Sequence, residues 1–489
     1  MYNLDRLAEG TAGAPAVEGA DMSKLRPQLG VLEAMALSVG IMAPTAAMAL
    51  NGSLAASITG TAVALAFLGA VITIMLTSFS FIEFSRQFAH AGSVYVFNGI
   101  SFGARMGFLS AWVLMLTYIG FTVASTAEVG LFFQTFLGLT GVTIHWIFPA
   151  LVAAALIWFL AHREVRLSTR TTLVVEALSV LLILVLAVVI LGRGGAHGLS
   201  TVPFEIPKAG FSAVALASVF GFLSFAGFEG AATLGEETGN PKRAIPRAIL
   251  AAVLFTGTFY LVISYTQAIG FGTDDKGVAA FAGSTSPLVD LAKTYLGQTM
   301  AVAISLGATV SAFASALGTG LAASRLLFAL GRDGFGPARL GSVHPRYASP
   351  YVAVATVMSI AIVADIILVE QTGAQVFAYA GTIGVLALLL VYLATQVGAI
   401  KLFWSLGRWR GPQLIIPLIA IGLLAYALYA NVYPIPLAPY DYFPYAVLAW
   451  VVAGIVIVFA SPKLVTRIGK ALTEVEHPVD RGAALENQP

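Results

Sequence analysis

The sequence predicts an all-α integral membrane protein with about twelve transmembrane helices. Hydrophobic residues make up 58% of the 489 residues and charged residues only 10%, against roughly 25% charged in soluble domains. Runs of about 20 apolar residues, the length an α-helix needs to cross a bilayer, follow one another along the chain. The short segments of alternating polarity that are typical of transmembrane β-barrels do not occur in it.

Each span is placed on an apolar run bounded by polar or Gly/Pro-rich residues. The twelve spans lie near residues 30–57, 61–84, 104–138, 142–161, 171–192, 211–236, 246–271, 297–331, 350–369, 374–400, 413–431 and 443–461. The flanking segments, 1–28 and 462–489, are predicted to be tails.

The distribution of basic residues predicts that both tails are cytoplasmic. With that orientation the outer connections hold only Arg193, Lys208, Lys276 and Lys293, and the other 22 lysines and arginines lie on the inner side. Cytoplasmic loops of membrane proteins carry such an excess. The short loops and the absence of an organelle-targeting segment favour a bacterial inner membrane.

Two spans are interrupted near their middle. Pro44 lies inside the first span, where a proline removes an amide donor and breaks the helix. Ala226-Gly227 lies inside the sixth span, close to the acidic Glu229. Interrupted helices at matching positions of two halves indicate an inverted repeat with a binding site between the halves. We therefore predict a first half over 29–195, a second half over 210–401 and two peripheral helices over 412–461.

Three segments resemble the amino acid–polyamine–organocation transporter superfamily. They are Phe225-Ala226-Gly227-Phe228-Glu229 with its polar continuation to Pro246, Ala323 to Pro337 with His344-Pro345 and Ser349-Pro350 beyond, and Ala91-Gly92-Ser93-Val94-Tyr95. The resemblance implies the five-plus-five inverted-repeat fold of the bacterial leucine transporter, and secondary transport of an amino acid or organic amine by alternating access.

The resemblance also implies a substrate site at the two breaks. Members of the family bind a substrate carboxylate at a Gly-Ser/Thr-Gly element, where this chain has Ala43-Pro44-Thr45. Pro44 offers neither a hydroxyl nor an amide proton, whereas Thr45 and Ala46 keep their amides. Carboxylate recognition is therefore weakened but not excluded. The remaining predicted substrate-binding residues are Ile41, Leu223 and Ala226, which match positions that offer carbonyls to the amine, together with Tyr118, Phe222, Phe225, Gly227 and Glu229.

The coupling ion is left open between a proton and sodium. Some proton-coupled relatives have a lysine in the fifth helix where this chain has Ser179, one turn beyond Glu176. Either sodium binds near Ser179 with hydroxyls of the eighth span, or a proton travels through a glutamate. The candidates are Glu176, Ser179, Glu229, Thr309, Ser311 and Ser315.

A polar network is predicted at the cytoplasmic surface as an inner gate or scaffold. Its members are Glu237, Asn240, Pro241, Arg325, Arg332 and Asp333. Ala91-Gly92-Ser93 is predicted to form a flexible loop near this gate.

The expected substrate is a neutral or apolar α-amino acid, because the predicted cavity is rich in Phe, Ala and Gly. A permease for polyamines, amino alcohols or γ-amino acids is the alternative, motivated by Pro44 and Glu229. A channel, a membrane enzyme and a transport-deficient sensor are the rivals from other classes. The chain has no cysteine and its six histidines are scattered, so we expect no catalytic residue, metal site or cofactor. The lipid bilayer and the small substrate are the expected partners, without nucleic acid, and the sequence carries no signal for an oligomeric state.

Overall fold

The computed structural model describes residues 30–88, 93–163, 169–234, 238–347, 349–405, 407 and 411–476. Every regular element in these ranges is a helix. The α-helices are α1 Val31–Met42, α2 Pro44–Thr59, α3 Val63–Gln87, α4 Ser93–Phe102, α5 Ala104–Leu139, α6 Ile147–His162, α7 Thr169–Arg193, α8 Phe211–Ser224, α9 Pro241–Phe271, α10 Asp275–Gly283, α11 Pro287–Tyr295, α12 Gln298–Arg332, α13 Tyr351–Ile367, α14 Gly373–Ser405, α15 Gly411–Ala430, α16 Phe443–Ala460 and α17 Pro462–Glu476.

These helices confirm the predicted membrane architecture. Among the described residues, ten spans are long and apolar enough to cross a bilayer, and α6 and α13 are shorter apolar helices at the predicted fourth and ninth positions. The pair α1 and α2 makes one broken span. The other broken span consists of α8 and the 3₁₀ helix Phe228–Leu234.

Three segments differ from the sequence prediction. Ser93 begins α4 instead of lying in a loop, which is consistent with the frequency of serine at helix starts as well as in loops. Ala91 and Gly92 lie outside the described residues. The seventh span begins at Pro241 instead of residue 246, because proline suits the first helical position. The predicted C-terminal tail is helical over α17.

α5 lies at the centre of the bundle and packs along α12 and α14. Glycines allow this close approach: a Cβ on Gly120 would lie 2.8 Å from the Ala380 carbonyl oxygen, and one on Gly384 would lie 2.7 Å from the Phe121 ring. Apolar burial does not drive helix association in lipid as it does in water, so close contact between small residues replaces it. α5 is thereby held closely between α12 and α14.

The eleventh and twelfth spans, α15 and α16, have the smallest buried share of the candidate spans. A reciprocal tryptophan pair holds α16 on α5. The indole of Trp112 donates to the Trp450 carbonyl at 2.8 Å, and the indole of Trp450 donates to the Trp112 carbonyl at 2.9 Å. The two rings stack with centroids 4.4 Å apart, so both indole donors are satisfied within the membrane.

Candidate functional site

The first helix break lies between α1 and α2. Ala43 ends α1 with φ 44° and ψ 63°, a left-handed conformation that is uncommon for a residue other than glycine. Pro44 then takes the first position of α2, where its missing N–H has no helical partner to lose. The break therefore follows from the proline, as the sequence predicts.

The amides at the start of α2 already have partners within the protein. The Thr45 N–H donates to Oε1 of Glu176 at 2.9 Å, and the Ala46 N–H donates to Oγ of Ser311 at 3.2 Å. The Ala47 N–H donates to the Ala43 carbonyl at 3.0 Å. The backbone groups expected to receive a substrate carboxylate are thus capped by side chains from α7 and α12.

The second break follows α8, which ends at Ser224. The chain turns at Gly227, whose φ of 99° is strained for any other residue, and continues as the 3₁₀ helix. The Ser224 carbonyl accepts from the Tyr260 hydroxyl at 2.6 Å. A Cβ on Gly227 would lie 2.2 Å from Cγ2 of Ile41, so the two breaks are in direct contact.

A cavity opens beside these breaks, between the first, third, sixth, eighth and tenth spans. Its lining residues are Ile41, Met42, Ala43, Ala46, Ala47, Asn51, Phe121, Ala124, Ser125, Glu128, Leu223, Ala226, Ser315, Thr319 and Phe377. Among these described lining residues, Glu128 is the one with an ionisable side chain.

Glu128 is almost fully buried, with 2% of its surface exposed. Its Oε1 atom has no hydrogen-bond partner among the described residues. Hydroxyls border the same cavity: Ser125 and Ser315 lie 3.1 Å apart, and Ser315 donates to the Ile41 carbonyl at 3.5 Å. An unpaired carboxylate at membrane depth is costly, so a cation or a proton is the natural complement of this group.

The cavity gathers some of the predicted substrate-binding residues and excludes others. Ile41, Ala43, Ala46, Leu223 and Ala226 line it. The other predicted residues pack around the breaks outside the lining, and they are Pro44, Thr45, Tyr118, Phe222, Phe225, Gly227 and Glu229. The Phe225 ring, for example, packs edge-on against Tyr260 with centroids 5.0 Å apart.

Glu229 lies in a separate buried environment. Its Oε2 atom accepts from the Tyr392 hydroxyl at 2.9 Å, whereas Oε1 has no partner among the described residues. The rings of Phe81, Phe228 and Tyr392 pack edge-on against one another at this position. Glu229 is therefore connected to α14 rather than to the cavity.

The residues predicted to bind the coupling ion differ in their hydrogen-bond partners. Glu176 and Ser311 bond the start of α2, and Ser315 lines the cavity. Ser179 and Thr309 instead donate to carbonyls of their own helices, at Val175 and Ser305, a common arrangement for hydroxyls in membrane helices. The part of the chain that the structure describes holds no cluster of three or more His, Cys, Asp and Glu side chains.

The sequence prediction missed several lining residues on α5. Phe121, Ala124, Ser125 and Glu128 follow the i, i+3, i+4, i+7 spacing of one helix face. That spacing, together with an acid in an apolar span, was a signal for a cavity wall. Met42, Ala47, Asn51, Thr319 and Phe377 were also missed. For Phe377 the sequence offers no such signal, because its position depends on how α14 packs.

The predicted cytoplasmic network is described only in part, because Glu237 lies outside the described residues. Asn240 has a left-handed backbone with φ 51° and precedes Pro241 at the start of α9. Arg325 lies exposed near the end of α12. Nε of Arg332 lies 3.7 Å from Oδ1 of Asp333. Partial burial raises the pKa of the Asp333 carboxyl, and the Arg332 guanidinium partly offsets this.

Comparison with known proteins identifies the family. Residues 29–459 match the family described as amino acid permease. The chain belongs to this amino acid permease family. It is therefore a multi-pass membrane transporter for a small molecule, and not an enzyme.

Three relatives support the assignment to this family of transporters. The chain is 29% identical to the branched-chain amino acid permease BcaP of Bacillus subtilis, over 67% of this chain and 72% of that protein. It is 27% identical to the methylthioribose transporter of the same species, over 66% and 71%. It is 25% identical to the low-affinity putrescine importer PlaP of Escherichia coli K12, over 70% and 75%.

The fold is shared with a solved transporter. The crystal structure of the Eremococcus coleocola manganese transporter, in complex with an aromatic bis-isothiourea substituted compound, aligns with a TM-score of 0.55 at 13% identity. The alignment covers 92% of this chain and 99% of that one. At this identity the likeness shows the fold alone, and it agrees with the fold class predicted from the sequence.

Proposed function

We propose that this transporter carries a small organic amine, and that the substrate ammonium group binds Glu128. The observation that carries the proposal is the unpartnered Oε1 atom of Glu128 in a cavity whose lining contains no basic side chain among the described residues. An ammonium group would place a positive charge beside the Glu128 carboxylate and donate a hydrogen bond to it. Such a charge-assisted hydrogen bond is stronger than one between neutral groups.

The rest of the lining suits a compact aliphatic body. The Ile41 carbonyl and the hydroxyls of Ser125 and Ser315 are acceptors for the remaining ammonium hydrogens, and an ammonium has three donors in total. Phe121 and Phe377 provide apolar walls. The relative named as a putrescine importer is compatible with this chemistry, because putrescine carries ammonium groups and no carboxylate.

A neutral α-amino acid is the second candidate. The apolar walls and the relative named for branched-chain amino acids favour it. Its ammonium group would use the same Glu128 oxygen. Its carboxylate would need partners other than the Thr45 and Ala46 amides, which Glu176 and Ser311 occupy.

The proposal includes alternating access in a cytoplasmic membrane with both termini inside. Uptake would be driven by a proton or sodium gradient or by exchange. Glu176 and Glu229 are the proton candidates. Ser311 and Ser315 offer the oxygen ligands that suit sodium.

Substitution of Glu128 by Gln tests the proposed ammonium partner. We expect roughly 10- to 100-fold weaker apparent affinity for amines in proteoliposome uptake, because an ammonium–carboxylate bond contributes about 1.5–3 kcal/mol. Glu370→Gln is the matched control, since Glu370 is exposed between α13 and α14. Amine affinity that is unchanged in the Glu128 variant would refute the proposal.

A further inference from the structure

The Glu176 carboxylate accepts the Thr45 N–H at the first helix break, where a free helix N-terminus would bind an anion. We infer that Glu176 is a specificity-determining residue, which replaces the substrate carboxylate with one built into the protein and so selects against α-amino acids. This inference rests on the proposed function and names the feature that separates amines from amino acids in the same site.

Every backbone donor at the start of α2 is accounted for. Pro44 has no N–H, Thr45 donates to Glu176, Ala46 donates to Ser311, and Ala47 donates to the Ala43 carbonyl. A free helix N-terminus would offer its unpaired amides to an anion. Here no amide of the first turn is left for a ligand anion.

Charge opposes a second carboxylate at this position. A helix N-terminus carries roughly half a positive charge, which suits one carboxylate. Glu176 already supplies that carboxylate and is itself buried, with 5% of its surface exposed. An α-amino acid would bring a second carboxylate beside it, with Glu128 in the adjoining cavity wall. Like charges at close range in a medium of low dielectric constant repel strongly.

The residues of three helices combine to make this arrangement. Proline at the first position of α2 removes one donor, while Glu176 of α7 and Ser311 of α12 cover the next two. Glu176 lies on α7 and contacts the start of α2, whereas Glu128 lies on α5 and lines the cavity. The two acids can therefore have separate roles, Glu176 at the break and Glu128 toward the substrate amine.

A matched pair of probes tests the inference directly. Leucine and 3-methylbutylamine have the same aliphatic body and amine, and they differ only in the carboxylate. Uptake of both is measured in proteoliposomes containing the full-length protein, for the wild type and for Glu176→Ala. Removing the side chain frees the Thr45 amide. We expect the leucine-to-amine ratio of apparent affinities to rise about tenfold or more, since a charge-assisted hydrogen bond becomes available to leucine.

Two further variants separate this role from a structural one. Glu176→Gln keeps an oxygen that can accept from Thr45, so the variant should retain most of the preference for the amine. Ser311→Ala frees the Ala46 amide and should raise the leucine-to-amine ratio in the same direction, by less. This second variant also provides the test if Glu176→Ala does not fold.

The outcomes distinguish this inference from the proposed function. An unchanged ratio in folded Glu176→Ala overturns the role of Glu176 while leaving Glu128 as the amine partner. Where that variant does not fold, an unchanged ratio in Ser311→Ala overturns the exclusion of leucine by occupied amides on which that role depends. Unchanged amine affinity in Glu128→Gln overturns the proposed function instead. A raised ratio that Glu176→Gln does not share supports the inference.

Discussion

At the residue scale, three glutamates that look alike in the sequence lie in three different environments. Glu128 faces the cavity with an unpartnered oxygen, Glu176 caps α2, and Glu229 accepts from Tyr392. Each is buried among apolar spans, where an acid is a marker of function. Their partners, rather than their depth, separate the roles proposed for them.

The role of Glu229 in coupling stays a prediction and has its own test. We expect Glu229→Gln to abolish transport or to remove its dependence on a proton gradient, because the substitution removes a buried group that can bind and release a proton. Tyr392→Phe, which deletes the hydroxyl donor but keeps the acid, is the companion variant and should retain the proton dependence. Uptake of Glu229→Gln with an unchanged rate and pH profile would exclude this role.

At the scale of elements, one side chain of the first broken span bonds the backbone of the second broken span twice. Oγ of Ser38 on α1 donates to the Phe228 carbonyl at 2.9 Å and accepts from the Ala231 N–H at 2.8 Å. It therefore bonds a carbonyl and an amide at the start of the 3₁₀ helix at once. This contact connects α1 with the 3₁₀ helix Phe228–Leu234, so these two elements are expected to move together.

Replacement of Ser38 by Ala should destabilise this connection. The change leaves a buried carbonyl and a buried amide without their side-chain partner, at a cost of about 1–3 kcal/mol for each group. We expect a lower melting temperature of the detergent-solubilised protein. Ser57→Ala is the control, because Ser57 is exposed and bonds only the carbonyl of Leu54 in its own helix. Equal melting temperatures for the two variants would contradict the bridging role of Ser38.

The sequence predicted the positions of the helices and their breaks more completely than it predicted the contacts within the site. Pro44 and Gly227 locate the helix breaks because their effects on the backbone are local. The partners of the freed groups are not local: Glu176 is 131 residues from Thr45, and Ser311 is 265 residues from Ala46. The sequence therefore predicted unpaired amides at the start of α2, whereas side chains of α7 and α12 accept hydrogen bonds from them in the structure.

At the scale of the whole molecule, the topology is open to direct test. The chain has no cysteine, so a single introduced cysteine reports its own position. Lys276 in α10 and Ala338 in the 3₁₀ helix Ala338–Gly341 are both exposed. They are predicted to lie on the outer and inner sides, because the basic residues concentrate in the connections on the side of Ala338.

We expect a membrane-impermeant maleimide to label Lys276→Cys in intact cells, and to label Ala338→Cys only after the membrane is permeabilised. The unsubstituted protein provides the background, since it has no thiol. The reverse pattern of labelling would place both termini outside.

Uptake by the wild-type protein in proteoliposomes tests the central claim most directly. Labelled 3-methylbutylamine and leucine are compared under separately imposed proton and sodium gradients. The proposal predicts that the amine is transported with at least about tenfold higher apparent affinity, because Glu128 supplies a partner for the ammonium and Glu176 leaves no helix amide for the carboxylate. Transport of leucine with equal or higher affinity than the amine would contradict it.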